Sequence, residues 1–80
     1  MDTDYQLDIT DQICPMTFVR TKLLIEKMAS GETAAVRLKG AEPLDNVPRS
    51  VREYGHEVVS MDPLEGEGEN GVHVLVLKKA

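Results

Sequence analysis

Cysteine occurs once in the 80 residues, at Cys14, and tryptophan not at all; one Phe and two Tyr supply the aromatics. A single thiol cannot close an internal disulfide. Small secreted domains rely on several, so the expected compartment is the cytoplasm, where a thiol stays free. The scarcity of aromatics predicts an aliphatic core. Basic residues are also short: 9 Lys and Arg stand against 14 Asp and Glu, a formal net charge of -5. That balance disfavours a nucleic-acid partner, because phosphate neutralisation supplies most non-specific affinity and needs a basic footprint. No apolar run approaches the ~20 residues needed to cross a bilayer, and the initial "MDTDYQLD" lacks the apolar segment of a secretory signal. No glycine-rich phosphate loop is present, since "EGEGENG" is acidic and repels phosphate, and there is no serine-centred elbow. One cysteine and two histidines, with no Cys-x-x-Cys or His-x-x-x-His spacing, predict no metal site.

What is present reads as one domain over residues 1–80, since a chain this short has room for a single core. Tyr5, Leu7 and Ile9 alternate with polar neighbours and predict a first strand. From about 15 to 29 the period becomes helical. Phe18, Thr21, Leu24, Ile25 and Met28 share one side at ~100° per residue, and Gly31 ends the segment. "TAAVRLKG" is a second strand with Ala34, Val36 and Leu38 on one face. "EPLDNVPRSVREYG" predicts a turn and a short second helix. Asn46 serves as its N-cap, Pro48 sits in its first turn and Gly55 closes it. Its inner face is Val47, Val51 and Tyr54, with Leu44 packing just before it. "EVVSMD" and "VHVLVLKK" are two further strands, joined as a hairpin by the acidic loop at 63–71. The order β-α-β-α-β-β predicts an α/β (α+β) two-layer sandwich, with two helices on one face of a four-stranded mixed sheet. Strand order cannot be read from the pattern.

Cys14 precedes Pro15, and proline suits a first helical position, where its missing N–H costs nothing. Cys14 then becomes the N-cap, with its sulfur over unpaired backbone N–H groups at the positive end of the helix dipole. Such a place favours thiolate over thiol and lowers the pKa of a cysteine. Arg20 and Lys22 add positive potential, while Asp8 and Asp11 oppose it. On spacing alone Cys14 reads equally well as a buried small hydrophobe. Two features weigh against burial. "TDQI" is a loop by composition, and such loops reach the surface. Cysteine also caps helices less well than Ser, Thr, Asp or Asn.

Cys14-Pro15 after a short Leu-Asp strand, the β-α-β-α-β-β order and "YGHEVVSM" after the second helix together resemble the TusA/SirA-like sulfur-carrier family, over nearly the whole chain. That family's motif is Cys-Pro-x-Pro. Here it reads Cys14-Pro15-Met16-Thr17, with the second proline replaced. The resemblance implies a sulfurtransferase-type carrier in which Cys14 is the reacting residue and accepts persulfide sulfur from a donor protein such as a desulfurase or rhodanese. The sulfur then passes to an acceptor protein, and no cofactor takes part. Pro15, Met16, Thr17 and Arg20 then support the helix start and docking, and Thr17 offers a hydroxyl near the sulfur. A monomer is expected. Two alternatives belong to other classes. One is a non-catalytic binding or regulatory module for RNA or protein, because the two-layer class also resembles the C-terminal domain of a bacterial translation initiation factor. The other is a thiol redox switch through a Cys14–Cys14 dimer.

His56 follows Gly55 and matches the family's "GH". It is a candidate proton shuttle, although a residue in this place more often satisfies a loop or caps the preceding helix. His73 alternates with Val72 and Val74 and reads as structural. Arg49 and Arg52, with Arg20 and Lys22, read as solvated faces able to dock an acidic partner.

Overall fold

A computed structural model of the chain describes residues 3–12, 16–64 and 71–80. The elements run β1 (Tyr5–Asp8), α1 (Met16–Lys27), β2 (Thr33–Leu38), α2 (Ala41–Glu53), β3 (Glu57–Pro63) and β4 (His73–Lys78). The expected two-layer sandwich is present, with both helices on one face of a four-stranded mixed sheet. Strand order is β1-β2-β4-β3. β1 and β2 are parallel, with Tyr5 opposite Ala34 and Leu7 opposite Val36, so the chain between them must cross over and α1 makes that crossing. β4 then inserts antiparallel between β2 and β3.

The alternation seen in the sequence decides which residues enter the core. Ala34, Val36 and Leu38 from β2 and Leu75 and Leu77 from β4 point to the helices and are fully buried, joined by Ile9, Ile25, Met28, Val47 and Val51. The cluster is entirely aliphatic apart from the methionine thioether. Thr17 and Thr21 are also buried, and the Thr21 hydroxyl donates to the Thr17 carbonyl at 2.8 Å, which returns part of the cost of placing hydroxyls in a core. Beyond α1, the Lys79 ammonium donates to the Met28 carbonyl at 2.7 Å. Gly31 N–H donates to the Lys79 carbonyl and Lys79 N–H to the Glu32 carbonyl, so the chain's last residues tie the end of α1 to the sheet.

α2 departs from the expectation. It begins at Ala41, not after Asn46, so Pro43 lies in its first turn and Pro48 in its interior. Pro43 is cheap there, because first-turn N–H groups have no partner within the helix. Pro48 removes an internal hydrogen bond, yet Val47 and Val51 on either side of it are buried and Pro48 is buried with them. Packing along the whole face carries the helix through the proline. Gly40 is the N-cap, with φ 102, and a Cβ there would meet Pro43 Cδ at 3.4 Å. Tyr54, expected on the inner face, is 60% exposed. It is the C-cap residue, its N–H still bonded to the Ser50 carbonyl, and its ring stacks on Phe18 instead of entering the core.

α2 ends in a Schellman closure. His56 N–H donates to the Val51 carbonyl at 3.0 Å and Gly55 N–H to the Arg52 carbonyl at 2.9 Å, with Gly55 at φ 88. Gly55→Ala meets no neighbouring atom but must hold a side chain in the left-handed region. We expect a loss of ~1–2 kcal/mol, read as a lower denaturation midpoint with an unchanged slope. No loss would contradict the closure.

Candidate functional site

The segment leading to α1 is built from β1. Asp8 ends the strand and folds its carboxylate back, accepting Thr10 N–H at 3.0 Å and the Thr10 hydroxyl at 2.7 Å. Ile9 N–H extends the ladder to the Arg37 carbonyl, and Gln12 N–H donates to the Ile9 carbonyl at 3.1 Å, which closes a turn over residues 9–12. The two hydrogen bonds from Thr10, and more weakly the Arg37 charge, hold the Asp8 carboxyl below the usual aspartate range. A carboxylate with a lowered folded value stabilises the fold above its unfolded value of about 3.9, and that contribution is lost as pH falls through the lower folded value. NMR titration is expected to place Asp8 below the ordinary value. A midpoint at or above it contradicts the turn.

Cys14 and Pro15 fall outside the described residues, so the expected N-cap and first-turn proline are not among the observed geometry. Described structure resumes at Met16, two positions after the cysteine, and α1 has no acidic side chain in its first turn. The other expected site residues separate. Met16 and Arg20 are exposed on α1, as a docking role needs. Thr17 is 0% exposed, so it is a core residue and does not belong to a docking surface. In a helix the residue after an outward one turns ~100°, which carries Thr17 from Met16's outer face to the sheet.

His56 is half-buried at the end of α2. It shares a small cleft with Phe18 and Lys22 of α1 and with Ser50 and Tyr54. Its Nδ1 accepts Ala80 N–H at 3.1 Å, which puts the proton of the neutral ring on Nε2. Phe18 stacks on Tyr54 at 5.7 Å between centroids, and Lys22 Nζ sits 5.6 Å from the Tyr54 ring centroid. The histidine is thus grouped with an aromatic cleft between the helices. His73 Nδ1 lies 2.8 Å from the Gly71 carbonyl, so it donates there and plays a local structural part.

One feature was missed in the sequence. Val19 and Leu23 are 39% and 51% exposed, and with Met16 at 44% they form an outward apolar stripe at positions i, i+3 and i+7. Arg20 and Lys27 flank the stripe, and α1 carries three basic residues against Glu26 alone. The signal was available: Val19 and Leu23 fall off the inner face, where a helix turned to water is expected to be polar. An apolar, basic face on a chain of net charge -5 stands out from its surroundings.

No helix among the described residues is long and apolar enough to cross a membrane. Comparison with known proteins accounts for the arrangement. The family profile "Sulfurtransferase TusA" matches residues 5–79. A provisionally named sulfur carrier protein of Archaeoglobus fulgidus is 42% identical over 73 residues, covering 91% of this chain and 80% of the relative. Another of the same description, from Thermotoga maritima, is 29% identical over 70 residues, covering 88% and 87%. The crystal structure of a SirA-like protein from Desulfitobacterium hafniense superposes with a TM-score of 0.73 at 20% identity, over 92% of this chain and 95% of that one, and so shares the fold. The chain belongs to the TusA sulfurtransferase family.

Proposed function

We propose that the protein is a sulfur carrier that accepts persulfide sulfur on Cys14 from a donor protein and passes it to an acceptor protein. The observation that carries this reading is the apolar, basic face of α1, which begins two residues after the only cysteine. A thiol that exchanges sulfur between proteins needs a docking surface beside it, and Met16, Val19, Arg20 and Leu23 supply one. Family membership and the sulfur-carrier names of both relatives support the chemistry.

The transfer needs no redox partner. The Cys14 thiolate attacks the terminal sulfur of the donor persulfide. A new S–S bond forms, the donor's S–S bond breaks, and the electron pair leaves on the donor's own cysteine thiolate. The same exchange in reverse sense, with an acceptor thiolate attacking the sulfur held on Cys14, discharges the carrier. Pro15 fits as the residue that starts the helix, and the absence of acidic side chains from the first turn of α1 leaves its dipole unopposed from within the helix. His56 fits less well as a direct participant, because its Nδ1 is engaged by Ala80 N–H and its neighbours are the inter-helix cleft.

The test is loading of the intact chain. Incubation with a cysteine desulfurase and cysteine is expected to add one sulfur atom by mass, removable by a thiol reductant. Failure with both desulfurase and rhodanese donors overturns the reading. Docking is tested separately with Leu23→Glu, which puts a charge in the stripe without touching the core. Loading at limiting donor is expected to slow about tenfold, equivalent to about 1.4 kcal/mol of docking energy, while the final extent is unchanged. An unchanged rate removes the stripe from the docking surface.

A further inference from the structure

Arg49 and Arg52 lie on α2, away from the α1 stripe, and β3 is the edge strand opposite β1. Among the described residues no strand pairs with the outer side of β3. Between α2 and β3 runs a groove of about 520 Å³, lined by Leu44, Pro48 and Arg52 on one side and Val58, Val59 and Met61 on the other. Its floor is apolar, since Leu44, Val58 and Met61 pack against the core from partly buried positions. Its rim is cationic on balance. Asp45 and Arg49 offset one another at 3.5 Å, whereas Arg52 is exposed and has no ion pair or side-chain hydrogen bond among the described residues.

The edge itself limits how a partner can bind. A register shift between Val58 and Ser60 makes Val59 the extra residue of a bulge, and Val59 stands 51% exposed. Bulges interrupt regular pairing and are one way natural edges resist adding strands. Recognition therefore falls to the side chains of the groove. An extended segment presents alternate residues to opposite sides. One set can fill the apolar floor while carboxylates on the other reach Arg52.

We infer that the α2–β3 groove docks an extended segment of a partner protein in which apolar and acidic residues alternate. Charge complementarity selects the acidic class, because Arg52 is a cation with no ion pair among the described residues, beside the apolar side chains of Leu44, Val58 and Met61. The groove lies at the sheet edge opposite β1, so a segment held there leaves the α1 stripe uncovered. A partner tethered in this way meets the α1 face at raised effective concentration. The inference stands on the groove and does not require the sulfur-carrier reading.

The probe is a blocked hexapeptide, Ac-Glu-Val-Glu-Leu-Glu-Val-amide, titrated into the ¹⁵N-labelled full chain and followed by amide shifts. The same peptide with Lys for Glu is the control. Shift changes are expected over residues 44–52 and 58–61 with the acidic peptide alone. Arg52→Glu is expected to weaken binding about tenfold, with an amide spectrum otherwise retained because Arg52 is exposed. Val59→Glu, on the strand side, is a second variant expected to weaken binding, because it removes an apolar contact and repels the carboxylates of the peptide. The inference is overturned by shifts that appear on Val19 and Leu23 instead, by an equal response to the Lys peptide, by affinity unchanged in both variants, or by no response at millimolar peptide.

Discussion

Cys14→Ser is expected to abolish sulfur loading from every donor while leaving the amide spectrum and thermal midpoint close to those of the parent chain. No second cysteine exists to take the sulfur, so the loss is complete rather than partial. A hydroxyl cannot substitute: serine does not ionise near neutral pH, and the exchange needs a thiolate to attack and a sulfur to keep the transferred atom. The fold should not suffer, because serine caps a helix at least as well as cysteine. A fall in stability of several kcal/mol, of the size seen when a packed side chain is lost, would instead mark Cys14 as core, and loading retained in the variant would sink the carrier mechanism. The pH dependence of Cys14 alkylation separates the two readings in the parent chain. An exposed thiolate at a helix start reacts with a midpoint below the ordinary value of ~8.5, whereas a buried thiol reacts slowly at every pH.

The parts of this fold legible in the sequence are those set by local period. Ala34, Val36 and Leu38 alternate, and all three are buried; Gly55 after a helical run closes α2. The parts that were not legible depend on the rest of the molecule. Pro48 reads locally as a helix start, but the burial of Val47 and Val51 carries α2 back to Ala41. Thr17 reads as a polar residue close to Cys14 in sequence, but the phase of α1 puts it in the core. β4 pairs with β2 across the register Val36 to Leu75, far apart in sequence, and no period reports that partnership. The apolar stripe on α1 was visible as residues in the wrong place for a water-facing helix, and it gained meaning only once the inner face was known to be complete without them.

That distinction between core and stripe leads to the second large effect. Leu75 lies in β4, an interior strand, opposite Val36 on one side and Met61 on the other, and is 0% exposed beneath the helices. Leu75→Ala removes three buried carbons; strand pairing holds the backbone on both sides, so only side chains such as Met61 can relax into the space, and they recover part of the loss. A loss of about 2–5 kcal/mol is expected. A chain of this length has only ~4–12 kcal/mol in total, so the variant loses a large share of its margin. Its thermal midpoint should fall by roughly 10 °C or more, at ~4–8 °C per kcal/mol for a domain of this size. Leu23→Ala is the matched comparison, with the same atoms removed from the exposed stripe, and it should alter stability by no more than about 0.5 kcal/mol. Measured together, the pair separates two leucines of the same composition and opposite exposure: one holds the sheet to its helices, and the other is free to be covered by a partner. If Leu23→Ala costs as much as Leu75→Ala, α1 is packed on both sides and the docking face assigned to it does not exist.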